Sequence, residues 1–266
     1  MDTIIHLRFL KRGRRLLAST LASIIAIFVF SACASISTDT DETLKVLFIT
    51  GGGWHDFSDQ EKVLAEGLSE RLNIEFTIDH TAGSDPSYRP ERFDDPDWVK
   101  GYDLVLYNMS LSRRQQSETA QAIIDSHVKH GVPAVLLHGS THSYRHTGNE
   151  NWFNFLGAKS MSHEAQGAFT NEVLQPDHPV MQGFPNPWAQ EQGELYRIEA
   201  VMPTATVLTQ AMGKNPERYQ PTIWVNEYAG VRVFVTTIGH HTATMASDTY
   251  LDLLTRGILW AVGRVD

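Results

Sequence analysis

The sequence predicts an α/β domain built on a mostly parallel sheet with helices on both faces. Three observations carry that reading. Continuous apolar runs, "KVLFIT", "YDLVLYNM" and "PAVLLHGS", recur along the chain and end in glycine or polar turns, as strands buried on both faces do. Between them lie longer segments with apolar residues at helical spacing. The stretch from Leu44 onward, about 220 residues, suits a single α/β domain with a sizeable core.

In chain order, the first segment stands apart from that domain. Arg8, Lys11, Arg12, Arg14 and Arg15 precede an apolar run, Leu16 to Phe30, followed by Ser31, Ala32 and Cys33. A basic start, a short apolar stretch and a small-residue cleavage site are the plan of a bacterial export signal. The apolar run is about fifteen residues, short of the roughly twenty of a membrane span. "FSAC" is similar to a lipoprotein signal, in which Cys33 becomes the lipidated first residue, although Phe30 stands where such signals usually carry Leu. An uncleaved anchor, or an ordinary signal with an incidental cysteine, is the alternative. The expected organisation is a signal over 1–33, a flexible polar tether over 34–43 and the α/β domain over 44–266. The expected location is the bacterial cell envelope, lipid-anchored to a membrane and facing the periplasm or exterior.

Within the domain, Lys45–Thr50 reads as a buried strand. Ser58 to Leu72 is a helix with Val63, Leu64, Leu68 and Leu72 on one face, and Asn73–Ile78 is a strand. A loop rich in Pro and Asp leads to the strand Tyr102–Met109. Gln115 to Gly131 is a helix with Ala120, Ile123, Ile124 and Val128 inward, stopped by Gly131 and Pro133. Pro133–Ser140 is a third buried strand. Ala168–Leu174 and Ala205–Gln210 are shorter strands, and "PTIWVNEYAGVRVFVTTIGHH" is a hairpin turning at Ala229-Gly230. Asp248 to Val262 closes the chain as a helix, expected to pack beside the first strands.

Composition narrows the chemistry. Cys33 is the only cysteine, so the domain has no disulfide, thiolate metal site or Cys nucleophile. Without residues 1–32 the chain keeps 17 basic and 30 acidic residues, a formal charge near −13. That balance argues against nucleic acid as a partner. The expected partners are a small-molecule carbohydrate and, through the N-terminal anchor, a membrane.

Ligands of open α/β sheets sit beyond the carboxyl ends of the strands. Three segments put histidines there: His55 after the first strand, His138 after "PAVLL", and His240 with His241 after "VRVFVTTIG". Imidazole serves as base, acid or metal ligand. Gly52 and Gly53 are expected to let the backbone approach a ligand and to offer N–H donors. "TGGGWHDF" is neither a dinucleotide fingerprint nor a phosphate loop, so no nicotinamide cofactor is expected. No HExxH or other compact ligand pair is present, so a metal such as zinc would need a site assembled across loops, with His55, His138 and His240 as the ligand set.

"KVLFITGGGWHDF", "PAVLLHGSTHSYR", "DHPVMQGFP", "GELYRI", "IWVNEYAGVRVFVTTIGHH" and "LLTRGILWAVG" resemble, in this order, the trehalose-utilisation (ThuA-like) family, over about Leu44 to Gly263. The resemblance implies a flavodoxin-like sheet of the class I glutamine amidotransferase type and a role in sugar metabolism; it does not fix a reaction. Where amidotransferases carry a nucleophilic Cys, this chain has His138, then Gly139 and Ser140. The strained Gly-x-Ser-x-Gly elbow is missing, which disfavours a Ser nucleophile. The resemblance also marks Glu194, in "GELY", as the carboxylate partner of His55 and His138. His163, in "MSHEA", follows a segment similar to a family motif and is expected at the cleft.

Trp54, Tyr144, Trp152 and Tyr196 lie close to the cleft segments and could cover the apolar face of a sugar ring; Trp152 fits core packing better. The substrate-binding set is therefore Gly52, Gly53, Trp54, Asp56, Tyr144, His163, Tyr196 and His240, with His142 and His146 at the rim. His178 is expected to fix the turn before Pro179. Three readings follow: an envelope-anchored His/Glu acid–base enzyme acting on a sugar or keto-sugar derivative, a non-catalytic sugar-binding lipoprotein, and a metal-dependent hydrolase.

Overall fold

The computed structural model describes residues 42–266. The signal, Cys33 and most of the tether lie outside the described residues. The strands are β1 (Leu44–Gly52), β2 (Ile74–Asp79), β3 (Leu104–Ser110), β4 (Ala134–Leu137), β5 (Ala158–His163), β6 (Gly167–Val173), β7 (Trp188–Gly193), β8 (Tyr196–Val201), β9 (Ala205–Met212), β10 (Tyr219–Tyr228) and β11 (Val231–Thr236). The helices are α1 (Phe57–Ser69), α2 (Ser117–His130), α3 (Glu150–Leu156), α4 (Thr242–Met245) and α5 (Asp248–Ala261). None of the described helices is long and apolar enough to cross a membrane.

Nine strands form one sheet in the order β2-β1-β3-β4-β11-β10-β9-β6-β7. The first five run parallel and follow the flavodoxin-like order, with β11 as the fifth strand. Beyond β11 the sheet turns antiparallel, through the β10–β11 hairpin and then β9, β6 and β7. β5 and β8 pair separately as a two-stranded ribbon.

Alternation along each buried strand feeds two cores. Leu47 and Ile49 of β1 join Tyr107, Leu136 and Val233 under α2 and α3, with Trp152 and Phe155 fully buried. Val46 and Phe48 join Leu106, Val135 and Phe234 under α1 and α5. Each large apolar side chain so buried contributes about 1.5–3 kcal/mol. The expected helices are present, with three adjustments. Val128 of α2 is 37% exposed rather than inward. The third strand stops at Leu137 because His138 already turns. α5 packs against α1, β4 and β11, so it covers the sheet centre instead of lying beside the first strands alone.

Register sets the site. Gly52 pairs with Ser110, and Thr236 with Leu137. The carboxyl ends of β1, β3, β4 and β11 therefore share one edge, and the residues after them emerge together.

Candidate functional site

His138 follows β4 with φ +38°, a left-handed backbone for a residue with a side chain. Such a conformation costs about 1–3 kcal/mol and persists only where neighbours hold it. Here the His138 Nδ1–H donates to the Thr237 carbonyl at 2.6 Å. The turn continues as a short 3₁₀ segment, His138–His142. It is stitched to β3 by Ser140, whose Oγ donates to the Tyr107 carbonyl at 2.9 Å and accepts from the Met109 N–H at 3.0 Å. Ser140 is thus fully buried and committed to the backbone, which removes it as a nucleophile. Gly139 is required by close approach: a Cβ there would sit 3.1 Å from the Met109 carbonyl and 3.2 Å from the His55 ring.

His55 has Nδ1 3.3 Å from the Gly53 carbonyl, and its Nε2 is buried with no protein partner among the described residues. His240 is placed from behind: Asn108 donates to the Gln60 carbonyl oxygen at 3.0 Å, and the Gln60 amide donates to the His240 carbonyl at 3.1 Å. The Gln166 amide lies 2.9 Å from His240 Nε2. Glu194 comes from the link between β7 and β8.

Four side chains converge. His138 Nε2 lies 3.2 Å from His240 Nδ1 and 3.4 Å from Glu194 Oε2, and His240 Nδ1 lies 3.2 Å from the same oxygen. With His55, one ligand atom from each residue lies within 4.8 Å of the others. With Nδ1–H on Thr237, His138 presents a lone pair at Nε2; if His55 uses Nδ1–H on Gly53, it does the same. A carboxylate oxygen adds a third acceptor. Such a group of acceptors needs a donor between them, either the Nδ1–H of His240 or a metal ion. Tetrahedral zinc with bonds of about 2.0–2.1 Å sets its donor atoms about 3.3–3.4 Å apart. The three edges match that spacing, and a backbone carbonyl orienting the far nitrogen of a metal-binding histidine is the usual supporting contact. This His/Glu cluster could hold a metal ion.

The electrostatics agree. Burial, then His138 and His240 beside it, push His55 down to about 3, so its imidazole is neutral at pH 7. Burial also lowers His138, against the raising effect of Glu194. For Glu194 burial works upward, but hydrogen bonding to His138 and His240 holds the carboxyl well below the usual carboxylate range. His55 and His138 therefore stand as neutral imidazoles beside an ionised carboxylate, the protonation states a divalent cation requires.

The cluster opens into a cavity of about 670 Å³, within the roughly 300–1,000 Å³ of small-molecule sites. Tyr196 lines it, stacked on His142 at 3.8 Å between ring centres. His163 also lines it, with Nδ1 2.8 Å from the Glu164 carbonyl and 3.7 Å from Glu194 Oε1. Trp54 stands at the wall, 60% exposed, with Arg113 over its ring at 4.5 Å. His142 and His146 line the cavity as expected.

Other expectations fail for clear reasons. The Gly52 N–H donates to the Gly83 carbonyl at 2.8 Å and the Gly53 N–H to the Ser110 carbonyl at 3.1 Å, so neither amide is free for a ligand. The role of Gly52 is packing: with φ +110°, a Cβ there would lie 2.4 Å from the Ser110 carbonyl oxygen. Asp56 caps α1, accepting from the Asp59 N–H at 3.2 Å, and does not line the cavity. Tyr144, with φ +58°, turns into the core against Trp152 and is 1% exposed. His178, by contrast, fixes its turn as expected, with Nδ1 accepting from the Val180 N–H at 3.2 Å. His241 points into a different cleft, beside Gln190 and Thr244. Sequence reading missed Arg113, Arg145 and Gln166, all of which line the cavity.

The model of the trehalose-utilisation family, ThuA, matches residues 45–261. The chain belongs to this family. Comparison with curated proteins gives no match. A ThuA-like protein from Parabacteroides merdae is 21% identical, with a TM-score of 0.63 over 83% of this chain and 90% of its own. A ThuA-like protein from Bacteroides uniformis is 15% identical, with a TM-score of 0.61 over 82% of this chain and 91% of its own. A GMP synthase component from Thermoplasma acidophilum is 12% identical, with a TM-score of 0.50 over 82% of this chain and 93% of its own. At these identities the likeness concerns the fold, which is of the class I glutamine amidotransferase type. In this ThuA family member His138 occupies the strained turn after β4.

Proposed function

We propose that this ThuA family member is a metal-dependent enzyme acting on a sugar or keto-sugar derivative, with His138, His240 and Glu194 holding a divalent cation such as zinc and His55 as its fourth protein contact. The observation that carries the reading is the triangle of donor atoms with 3.2–3.4 Å edges, beside a buried His55 Nε2 that has no protein partner among the described residues. The family's link to trehalose utilisation supports the carbohydrate class. The export signal read from residues 1–33 supports work in the cell envelope.

When bound, the cation would polarise a carbonyl or hydroxyl oxygen of the sugar. The protein's own groups do the rest. His138 and His55 are held neutral by burial and are weak bases, so they serve better as electron-pair donors than as proton carriers. His163 is exposed at the cavity; with Nδ1–H on the Glu164 carbonyl, its Nε2 is left to take a proton from carbon next to a keto group and return it elsewhere. Trp54, 60% exposed, offers an aromatic face to the ring, whereas Tyr196 is buried and its ring is stacked on His142. Proton transfer of this kind isomerises a keto-sugar or eliminates its neighbouring substituent, without a redox cofactor.

The same donor set also suits hydrolysis of an ester or acetyl group, because zinc with four protein contacts can take water as a fifth ligand. Purified protein tested on keto-disaccharides and on acetylated sugars, before and after chelation, separates the two. Loss of turnover on chelation and in His138→Ala supports the proposal. Turnover by His138→Ala equal to wild type, or tight sugar binding with no turnover of any substrate, would overturn it in favour of a binding protein.

A further inference from the structure

Most of the described arginines have an acidic or carbonyl partner. Arg71, Arg89, Arg92, Arg232 and Arg264 pair with carboxylates. Arg197, Arg218 and Arg256 donate to backbone carbonyls. Arg113, Arg114 and Arg145 have neither kind of partner among the described residues; Arg114 is exposed outside the cavity, while Arg113 and Arg145 line it. Arg113 rests on the Trp54 ring. Arg145 makes one side-chain hydrogen bond, Nε to His146 Nε2 at 3.1 Å, and its Nη1 is buried with no protein acceptor among the described residues.

A buried guanidinium N–H without an acceptor is costly. Groups of this kind in a native structure point to a missing partner. The local charge points the same way. The chain carries a formal charge of −9, yet among the described residues Glu194 is the only carboxylate lining the cavity against two guanidiniums. A divalent cation on the cluster would make the cavity more positive still. Burial lowers Arg145, with no carboxylate close enough to offset it. Arg145 in turn adds to the burial that holds His142 far below its ordinary range.

We propose that the substrate of this cavity is an anionic carbohydrate derivative whose carboxylate or phosphate is held by Arg145, with Arg113 as a second cationic contact beside Trp54. The inference rests on the carbohydrate reading above and deepens it. A guanidinium presents a planar fork that matches either oxyanion. The exposed ring of Trp54 and the His/Glu cluster remain for the sugar ring itself. Arg145 is thus a specificity-determining residue: it selects the charged member of a sugar series.

Calorimetry with glucose, glucuronate and glucose 6-phosphate tests this, on wild type, Arg145→Gln, Arg145→Lys and Arg113→Gln, each checked for unchanged circular dichroism and zinc content. One charged probe should bind wild type about tenfold to a hundredfold more tightly than glucose, the range expected of a charge-assisted pair. Glucuronate in that place identifies a carboxylate ligand and glucose 6-phosphate a phosphate ligand. Arg145→Gln should abolish the preference while leaving glucose affinity unchanged, and Arg145→Lys should restore it only in part. Glucose binding as tightly as both charged probes, an unchanged preference in Arg145→Gln, or no binding of either charged probe would overturn the inference. Zinc content is read separately: charge preference without zinc binding keeps this inference and refutes the metal centre, and the reverse result refutes this inference alone.

Discussion

Acid should destabilise this fold through His127, a histidine remote from the cavity. Its ring lies in the core between α2 and β3, with the Nδ1–H donating to the Val132 carbonyl at 2.5 Å and Nε2 2.6 Å from the Tyr107 hydroxyl. Burial outweighs the carbonyl bond and pushes it down to about 4, against about 6.5 for an ordinary histidine. The folded chain thus keeps His127 neutral where the unfolded chain protonates it, so stability is present above pH ~6.5 and is lost as the pH falls toward about 4. At pH 5 the loss from this group is about 2 kcal/mol relative to pH 7.5, a large share of the 5–15 kcal/mol typical of a domain. Urea unfolding at both pH values, with chelator present, reads it. His127→Gln should be less stable at pH 7.5, but its stability should fall with acid by about 2 kcal/mol less than wild type. The slope is the diagnostic, because His55, His138 and His142 are held neutral too and remain in both proteins. Equal pH dependence in the two proteins would refute the assignment of a buried neutral His127.

Two further substitutions test the placement of side chains around the cavity. Gly139→Ala puts a methyl 3.1–3.2 Å from the Met109 carbonyl and the His55 ring; it should leave a folded protein whose displaced His55 weakens zinc binding about tenfold or more, measured by competition with a zinc indicator. Unchanged zinc affinity there would exclude His55 from the centre. Tyr144→Phe removes a buried hydroxyl that has no protein partner among the described residues, so stability should change by less than about 1 kcal/mol and turnover should be unaffected. A drop in turnover would return Tyr144 to the substrate-binding set.

Much of this was legible in the sequence because buried parallel strands and amphipathic helices leave strong local signals. "VLFIT" and "AVLL" are buried at every position, and the hairpin announces itself at Ala229-Gly230, where both residues have positive φ. The antiparallel extension was harder. β7 reads "WAQEQG", with polar residues on both faces and Gln190 buried, so neither alternation nor an apolar run marks it. At the site, the strand-end rule brought His55, His138 and His240 together without knowledge of register. Glu194 followed only from family resemblance, since a carboxylate between two polar strands has no pattern of its own. Tyr144 failed because a loop aromatic carries no direction: its left-handed backbone turns the ring into the core. The glycine amides failed because their partners, Gly83 and Ser110, come from other parts of the chain. Arg113 and Arg145 were passed over because loop arginines ordinarily face solvent, and only the tertiary fold shows that no described carboxylate meets them.

The central claim is that four side chains drawn from three strand ends and one interstrand link form a cation centre. Crystals grown with zinc, with diffraction recorded on both sides of the zinc absorption edge, test it most directly. The account predicts one anomalous peak per chain, about 2 Å from His138 Nε2, His240 Nδ1 and Glu194 Oε2, and its absence in His138→Ala. Density with no anomalous peak between these atoms, in zinc-saturated crystals, would contradict it.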